Sequence, residues 1–360
     1  MIHCTLRRRC VTGVATLTLA LAPLGLLAAP IVYVPAGEAN RVLVIDSAID
    51  QVVGNIDGVL NTHGLASDPA GKRLLAGSLK VRDVSDAPAK PAGVTEDEHQ
   101  AHHAASANPV VPSVTSSDLV GTVYLIDVSG KRIVRQIDVP GSVHHNLITV
   151  DGRYGISTHP TAGVISVIDL NTGELATQVA TGVVPNYVVS NREGSRLWVS
   201  NTGNNTVSEI DTRRWIVRRN LIVDQSPEHM VLSPDESSLY VIANGAGQVV
   251  ELDLVSGEIV RRHPVGSDPH GIDISDDGTQ LYVAIKGDNK LAAIQLNTGV
   301  VRALPLGPDP YHLATIKDTG KVYVSSRKDS KLWVVSQRDL KLVGEIPISG
   351  IGHQMVVMKK

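Results

Sequence analysis

Cysteine is almost missing from this chain, which has only two in 360 residues, Cys4 and Cys10, both near the start. The rest of the sequence offers no thiol, which excludes disulfides, thiolate metal sites, cysteine nucleophiles and CxxCH haem attachment there. Phenylalanine is absent, and aromatic residues make up only 3% of the sequence. The core must therefore consist of Val, Ile, Leu and Ala, a composition that favours strands over helices.

A surplus of positive charge is missing as well. The chain has 33 Lys and Arg against 36 Asp and Glu, a formal net charge of −3. Proteins that bind nucleic acid neutralise phosphates with basic side chains, and that contact releases counterions. The charge balance therefore argues against nucleic acid as a partner.

The first 29 residues have the three parts of a secretory signal peptide. Residues 7–9 are Arg-Arg-Arg, the stretch 11–29 is largely apolar, and it ends in Ala28 and Ala29. The apolar stretch is short and interrupted by Pro23, which is unfavourable for a membrane span. We predict that residues 1–29 direct export and that residues 30–360 form a periplasmic or secreted protein without a membrane span.

A repeat of 42 residues runs through the chain. Segments such as "TVYLIDVSGKRIV", "VISVIDLNTGELA" and "QVVELDLVSGEIV" share a polar residue after their hydrophobic part, and it recurs at Asp46, Asp127, Asp169, Asp211, Asp253, Gln295 and Gln337. The first interval is 81 residues, one period plus an insertion of 39, and the others are 42. Seven repeats result. The recurring aspartate is expected to accept backbone N–H groups of the following turn.

Each repeat contains four short alternating segments separated by turn sequences such as Asp-Gly and Asn-Thr-Gly. Four strands in about 40 residues are typical of a β-propeller blade. The chain end "GHQMVVMKK" supplies one strand and the start of the mature chain supplies three. We predict an all-β, seven-bladed propeller whose last blade joins a C-terminal strand from 353–358 to N-terminal strands from 31–57.

The repeats "LWVSNTGNNTVSEIDTRR" and "LYVIANGAGQVVELDLVSGEIV" resemble those of the YVTN family of bacterial β-propellers. The resemblance extends over residues 31–358 and implies the propeller fold. It implies no single activity, because this architecture serves scaffolds, binding proteins and enzymes.

Histidines recur at the start of the predicted innermost strands. Six of the seven repeats have one there, with a second histidine beside one of them, and the set is His63, His144, His145, His229, His270, His312 and His353. Tyr187 takes the place in the remaining repeat. Innermost strands line the channel, so we expect these residues to form a rim around one mouth, although their register along the strands varies by one residue.

Neutral imidazole is a common ligand of Zn²⁺ and Cu²⁺. The rim is therefore predicted to bind one or more of these ions through three or four histidines each. The alternative is that each histidine is structural and bonded to a loop carbonyl.

The inserted residues fall within about 82–120, between the second and third strands of the first complete blade. Their Ala/Pro/Ser-rich composition predicts a mobile loop. The loop contains His99, His102 and His103 next to Glu96–Glu98, and a short His-rich tract is a candidate for metal capture. We expect it to lie over the histidine rim.

Together these features predict a zinc or copper carrier that passes its ion to a periplasmic receiving protein, a hypothesis that assigns no catalytic residue. The plan is similar to that of propeller-fold periplasmic metallochaperones. The segment "HHNLITVDGRYGI" is more distantly similar to a paired-histidine segment of nitrous oxide reductase, whose propeller holds a histidine-bound copper cluster. Two alternatives remain: a hydrolase, because "PHGIDISDDGTQLYVA" is similar to lactonase-type propellers, and a protein-interaction scaffold with structural histidines.

Overall fold

The computed structural model describes residue 1 and residues 29–83 and 119–359. Residues 2–28 of the predicted signal peptide and the histidine tract His99, His102 and His103 lie outside the described residues, so both remain predictions.

The strands follow one another with short turns between them. The chain begins with β1 (Ile31–Ala36), β2 (Arg41–Asp46) and β3 (Gln51–Asp57), and its first complete blade consists of β4 (Thr62–Ser67), β5 (Arg73–Asp83), β6 (Leu119–Asp127) and β7 (Arg132–Pro140). The second blade consists of β8 (Asn146–Ile148), β9 (Tyr154–His159), β10 (Val164–Asp169) and β11 (Glu174–Ala180). The third consists of β12 (Pro185–Ser190), β13 (Arg196–Asn201), β14 (Thr206–Asp211) and β15 (Ile216–Ile222).

The second half of the chain repeats the pattern. The fourth blade consists of β16 (Pro227–Leu232), β17 (Ser238–Ala243), β18 (Gln248–Asp253) and β19 (Ile259–Pro264). The fifth consists of β20 (Pro269–Ile274), β21 (Gln280–Ile285), β22 (Lys290–Gln295) and β23 (Val301–Pro305). The sixth consists of β24 (Pro310–Ile316), β25 (Lys321–Ser326), β26 (Lys331–Ser336) and β27 (Lys341–Pro347), and the last strand is β28 (Val356–Met358).

The ring closes as the sequence predicts. The seventh sheet has the order β28–β1–β2–β3, with Ile31 opposite Met358. Polar contacts also connect this seventh blade to the sixth. Lys321 Nζ lies 2.7 Å from Asp50 Oδ2, and the Tyr323 hydroxyl donates to the same carboxylate. The all-β fold with seven four-stranded antiparallel blades is confirmed.

The core lies between the blades. Seven hydrophobic clusters of described residues each fill the space between two neighbouring sheets. In the sixth blade β25 and β26 are buried at almost every position, whereas the outer strand β27 is mostly exposed. Small aliphatic side chains suit the narrow gap between two twisted sheets, which explains how the fold forms with few aromatic residues.

The recurring aspartates have the predicted structural role. Each accepts a backbone N–H from the turn two or three residues later, at 2.9–3.1 Å, in the pairs Asp46–Ala48, Asp127–Gly130, Asp169–Asn171, Asp211–Arg213 and Asp253–Val255. They stabilise the tight connection from the third to the fourth strand.

None of the helices in the described part of the chain has the length and hydrophobicity needed to cross a membrane.

Candidate metal centre

A β-bulge near the start of the inner strands decides where the histidines point. In five inner strands the pairing with the second strand shifts by one residue, so that two consecutive residues stand opposite one. In β12, for example, Asn186 and Tyr187 both lie opposite Ser200. A bulge interrupts the alternation of side chains and re-aims one of them. Ring-to-ring contacts between the two positions show that both face the propeller axis.

The two bulge positions build two layers of side chains around the axis. The first layer, nearer the strand starts, consists of His63, His144, Asn186, Glu228, His270, Tyr311 and His353. The second layer, one residue further along, consists of Gly64, His145, Tyr187, His229, Gly271, His312 and Gln354. The single rim expected from the sequence is thus corrected to two layers, which explains the one-residue variation in register.

The two glycines of the second layer allow neighbouring inner strands to approach closely. A Cβ atom on Gly64 would lie 2.5 Å from the backbone oxygen of His144, and one on Gly271 would lie 2.5 Å from the backbone oxygen of Tyr311. Any other residue there would push the strands apart. The tight spacing brings histidines of different blades into contact.

Hydroxyl groups hold the bulged backbone in place. In three blades the second-layer N–H donates to the side-chain oxygen opposite the bulge: Tyr187 to Ser200 at 3.0 Å, His145 to Thr158 at 3.0 Å and His312 to Ser325 at 3.1 Å. A bulge removes these N–H groups from the strand ladder, so the hydroxyls satisfy donors that would otherwise be unpaired.

Among the described residues, three groups of three histidines place ring nitrogens within 4.8 Å of one another. We name them the buried triad (His145, His229, His312), the mouth triad (His63, His144, His145) and the closing triad (His63, His312, His353). Every member of the buried triad is at most 3% exposed, while His144 and His353 are partly exposed. His270 belongs to none of the triads.

His145 has a fixed tautomer. Its Nδ1 lies 3.0 Å from the backbone oxygen of Asn186, and a carbonyl oxygen only accepts, so Nδ1 carries the hydrogen and Nε2 carries a lone pair. That Nε2 accepts a hydrogen bond from Nε2–H of His229, with 3.1 Å between the two nitrogens. Two ligands of a tetrahedral zinc ion with bonds of 2.0–2.1 Å are about 3.3–3.4 Å apart. The pair is therefore spaced almost as two ligands of one ion would be.

Several other ring nitrogens are buried without a hydrogen-bond partner. They include both nitrogens of His63 and Nε2 of His270 and His312. A buried polar atom without a partner costs about 1–3 kcal/mol, and such atoms are rare in native proteins. A cation shared among these nitrogens would satisfy them.

Burial also keeps the histidines neutral. It lowers the pKa of His63, His145, His229 and His312 well below the ordinary value, and neighbouring imidazoles lower it further. For His353, burial lowers the pKa to about 4. Burial has the opposite effect on an acid and raises the pKa of Glu228 to about 7. Neutral imidazoles keep the lone pair that a metal ligand needs.

Two histidines have side-chain partners of their own. His270 Nδ1 lies 2.7 Å from Glu228 Oε2. His159, at the end of β9, is fully buried with Nδ1 3.2 Å from the Ser142 carbonyl and Nε2 2.8 Å from Ser166 Oγ. Both nitrogens of His159 are therefore satisfied, and its role is structural.

A cavity of about 640 Å³ lies beyond the second layer. Tyr187, His229, His312 and Gln354 line one end, and the loops with Arg192, Glu236 and Lys317, on the face opposite the mouth, line the other. Between the two ends the wall combines apolar side chains with polar ones such as Asn146 and Asp273. Asp273 accepts the N–H of Thr315 at 2.8 Å and its hydroxyl at 2.7 Å.

Several polar residues of the channel were not predicted from the sequence, among them Asn186, Glu228, Asp273 and Gln354. The first, second and fourth stand in the same repeat columns as the histidines, so an alignment of the repeats at the bulge would have found them. Asp273 occupies a column that is otherwise apolar, namely Ala66, Leu147, Val189, Val231, Ala314 and Val356. A single acidic residue in an otherwise apolar repeat column is the sequence feature that would have identified Asp273 as a channel residue.

Comparison with known proteins identifies the fold. No family model and no curated protein matches the chain. Among solved structures it is similar to a suspected 6-phosphogluconolactonase from Bacteroides fragilis NCTC 9343, with 11% identity and a TM-score of 0.70 over 94% of this chain and 100% of that one.

Two further solved structures have the same architecture. Dihydro-heme d1 dehydrogenase NirN in complex with DHE is 13% identical, with a TM-score of 0.61 over 92% of this chain and 66% of that one. Kuenenia stuttgartiensis hydrazine synthase is 16% identical, with a TM-score of 0.65 over 83% of this chain and 95% of that one. At such identities the likeness establishes the propeller fold alone, and membership of the YVTN family remains a prediction.

Proposed function

We propose that this protein binds one Zn²⁺ or Cu²⁺ ion in the buried triad and acts as an exported carrier of that ion. The observation that carries the proposal is the geometry of His145: Nδ1 is held by the Asn186 carbonyl while Nε2 lies 3.1 Å from Nε2 of His229. An outer hydrogen bond that fixes the ring and directs the other nitrogen inward is characteristic of metal-binding histidines. His312 supplies the third nitrogen.

A purely structural role explains these residues less well. It accounts for His159 and equally for His145, because both ring nitrogens of each are hydrogen-bonded. It does not account for His63, which is 2% exposed and has no partner at either nitrogen, or for the buried Nε2 of His312. A scaffold would gain stability from apolar residues at these positions, because each unpaired nitrogen is costly.

A carrier role is supported by the way the three triads connect. All ligands of the three triads are neutral nitrogens, and the partly exposed His144 and His353 connect the buried triad with the mouth. The leader-like residues 1–29 and the resemblance to YVTN repeats and propeller-fold metallochaperones support export and delivery to a periplasmic receiving protein.

The direct test is metal binding by the purified protein. After removal of bound metal with a chelator, titration with Zn²⁺ and with Cu²⁺ should show one ion per chain bound more tightly than about 1 μM, as the free energies of structural zinc sites suggest. Metal analysis after dialysis gives the stoichiometry independently. Absence of binding for both ions would leave the scaffold as the better interpretation.

A lactonase-like hydrolase is the second candidate function. It is favoured by the cavity of about 640 Å³ that has His229 and His312 at one end, a volume suited to a small organic substrate, and by the fold shared with the suspected 6-phosphogluconolactonase. A panel of lactones assayed with metal-free and metal-loaded protein tests it. We expect no turnover above the rate in buffer, and turnover that His312→Ala abolishes would instead establish the hydrolase.

A further inference from the structure

The three triads share members, and this sharing suggests how an ion reaches the buried triad. His145 belongs to both the mouth triad and the buried triad. Because Nδ1 of His145 is bonded to the Asn186 carbonyl, only Nε2 can bind a metal. One nitrogen does not bridge two ions, so the mouth triad and the buried triad cannot both be complete at the same time.

The two triads also differ in exposure. His144 of the mouth triad is partly exposed, whereas His229 and His312 of the buried triad are 3% and 2% exposed, even though they line the cavity. His144 is therefore the one member of these two triads that solvent reaches in part, while its Nδ1 and both nitrogens of His63 are buried. A bare divalent ion is very costly to bury, so an inward path must provide ligands at every step.

We propose, resting on the metal site proposed above, that the mouth triad is a loading site from which the ion passes to the buried triad by ligand exchange at His145. The ion first binds His63, His144 and His145. It stays bound to Nε2 of His145 while His229 and His312 replace His63 and His144. Besides the metal–nitrogen bonds, one hydrogen bond changes: the Nε2 hydrogen of His229, which points to His145 in the metal-free chain, moves to Nδ1 of the same ring by exchange with water, and the charge of the ion is unchanged.

The route predicts different kinetic effects for a histidine that lies only on the path and for a histidine that is a final ligand. A residue that lies only on the path changes the barrier, so its loss slows capture and release by the same factor and leaves the equilibrium affinity unchanged. Loss of a final ligand weakens the affinity, mainly through faster release. His144 belongs to the first class, and His229 belongs to the second.

The experiment is stopped-flow Zn²⁺ capture, and release to a chromophoric chelator, with wild type, His144→Gln, His229→Ala and His353→Ala. His270→Ala is the matched control, since His270 is a first-layer histidine outside all three triads. We expect His144→Gln to slow both capture and release about tenfold or more, with an affinity within about threefold of wild type. His270→Ala should leave both rates near those of wild type. Equal unfolding midpoints of the metal-free proteins show that the variants fold.

Three results would overturn the route while leaving the metal site intact. An unchanged capture rate in His144→Gln would indicate access from the cavity. Slowing in His353→Ala alone would place loading at the closing triad, and an affinity loss in His144→Gln as large as in His229→Ala would make His144 a final ligand. A wild-type protein that binds no Zn²⁺ and no Cu²⁺ would instead remove the proposed function and the route together.

Discussion

The metal-free protein is expected to lose stability steeply as the pH falls below about 6.5. Burial lowers the pKa of at least six histidines in the folded chain: His63, His145, His159, His229, His270 and His312. In the unfolded chain their pKa is about 6.5. Above that pH the stabilisation from the neutral form is fully present. It is lost as the pH falls toward the folded-state values, because the unfolded chain takes up protons that the folded chain excludes.

The size of the effect follows from individual groups. For His159 burial lowers the pKa to about 4, which corresponds to roughly 3 kcal/mol between neutral and acidic pH. Glu228 has the opposite effect on stability. Burial raises its pKa to about 7, so the folded chain binds one proton there at lower pH that the unfolded chain does not bind, and this stabilises the fold. The net expectation is an uptake of at least about three protons on unfolding, or about 4 kcal/mol per pH unit, between pH 6 and 5.

Urea unfolding in the presence of a chelator at steps from pH 8 to pH 5 measures this slope. His159→Gln is the matched variant, because it removes one buried histidine that belongs to no triad and should reduce the slope by about one proton. If the unfolding free energy of the wild type changes between pH 6.5 and 5 by an amount that corresponds to the uptake of less than one proton, the histidine layers are open to water, contrary to their burial.

The fold was predictable because the same pattern of strands and turns recurs in the sequence of every blade. Turn chemistry after Asp127, Asp169, Asp211 and Asp253 fixes where each third strand ends, and a sheet of four such strands buries its faces only against the next sheet. Closure was predictable for the same reason, since the strand near Val356 and the strands near Ile31 are incomplete alone. The structure bears out both.

The site was predictable only in part. Recurrence placed His63, His229 and His312 around the axis, but it could not reveal the β-bulge that separates them into two layers. That bulge depends on pairing between strands, and only some blades have a hydroxyl opposite the second-layer residue, as Ser200 is to Tyr187. The tautomer of His145 was not predictable, because it depends on a carbonyl of the neighbouring blade, at Asn186.

Replacement of a buried-triad histidine by alanine is expected to cause the largest loss of metal affinity. Loss of an outer hydrogen-bonding partner typically costs about 10–100-fold in affinity, so loss of a ligand itself should cost more than about 100-fold. We expect this for His145→Ala, His229→Ala and His312→Ala in titrations with Zn²⁺ or Cu²⁺. His270→Ala should cost less than about tenfold, because its Nδ1 is bonded to Glu228 and it belongs to no triad.

A comparison of the His312 and His270 variants distinguishes a discrete three-histidine metal site from an ion held by a larger cluster. Both are buried, both have an Nε2 without a partner, and each is replaced by the same small residue, so differences in folding or general polarity should be similar. An affinity loss confined to His312 identifies a discrete three-nitrogen site. Equal losses would mean that the ion is held by a larger cluster across both layers, and equal binding in all variants would place the ion elsewhere and leave the histidines structural.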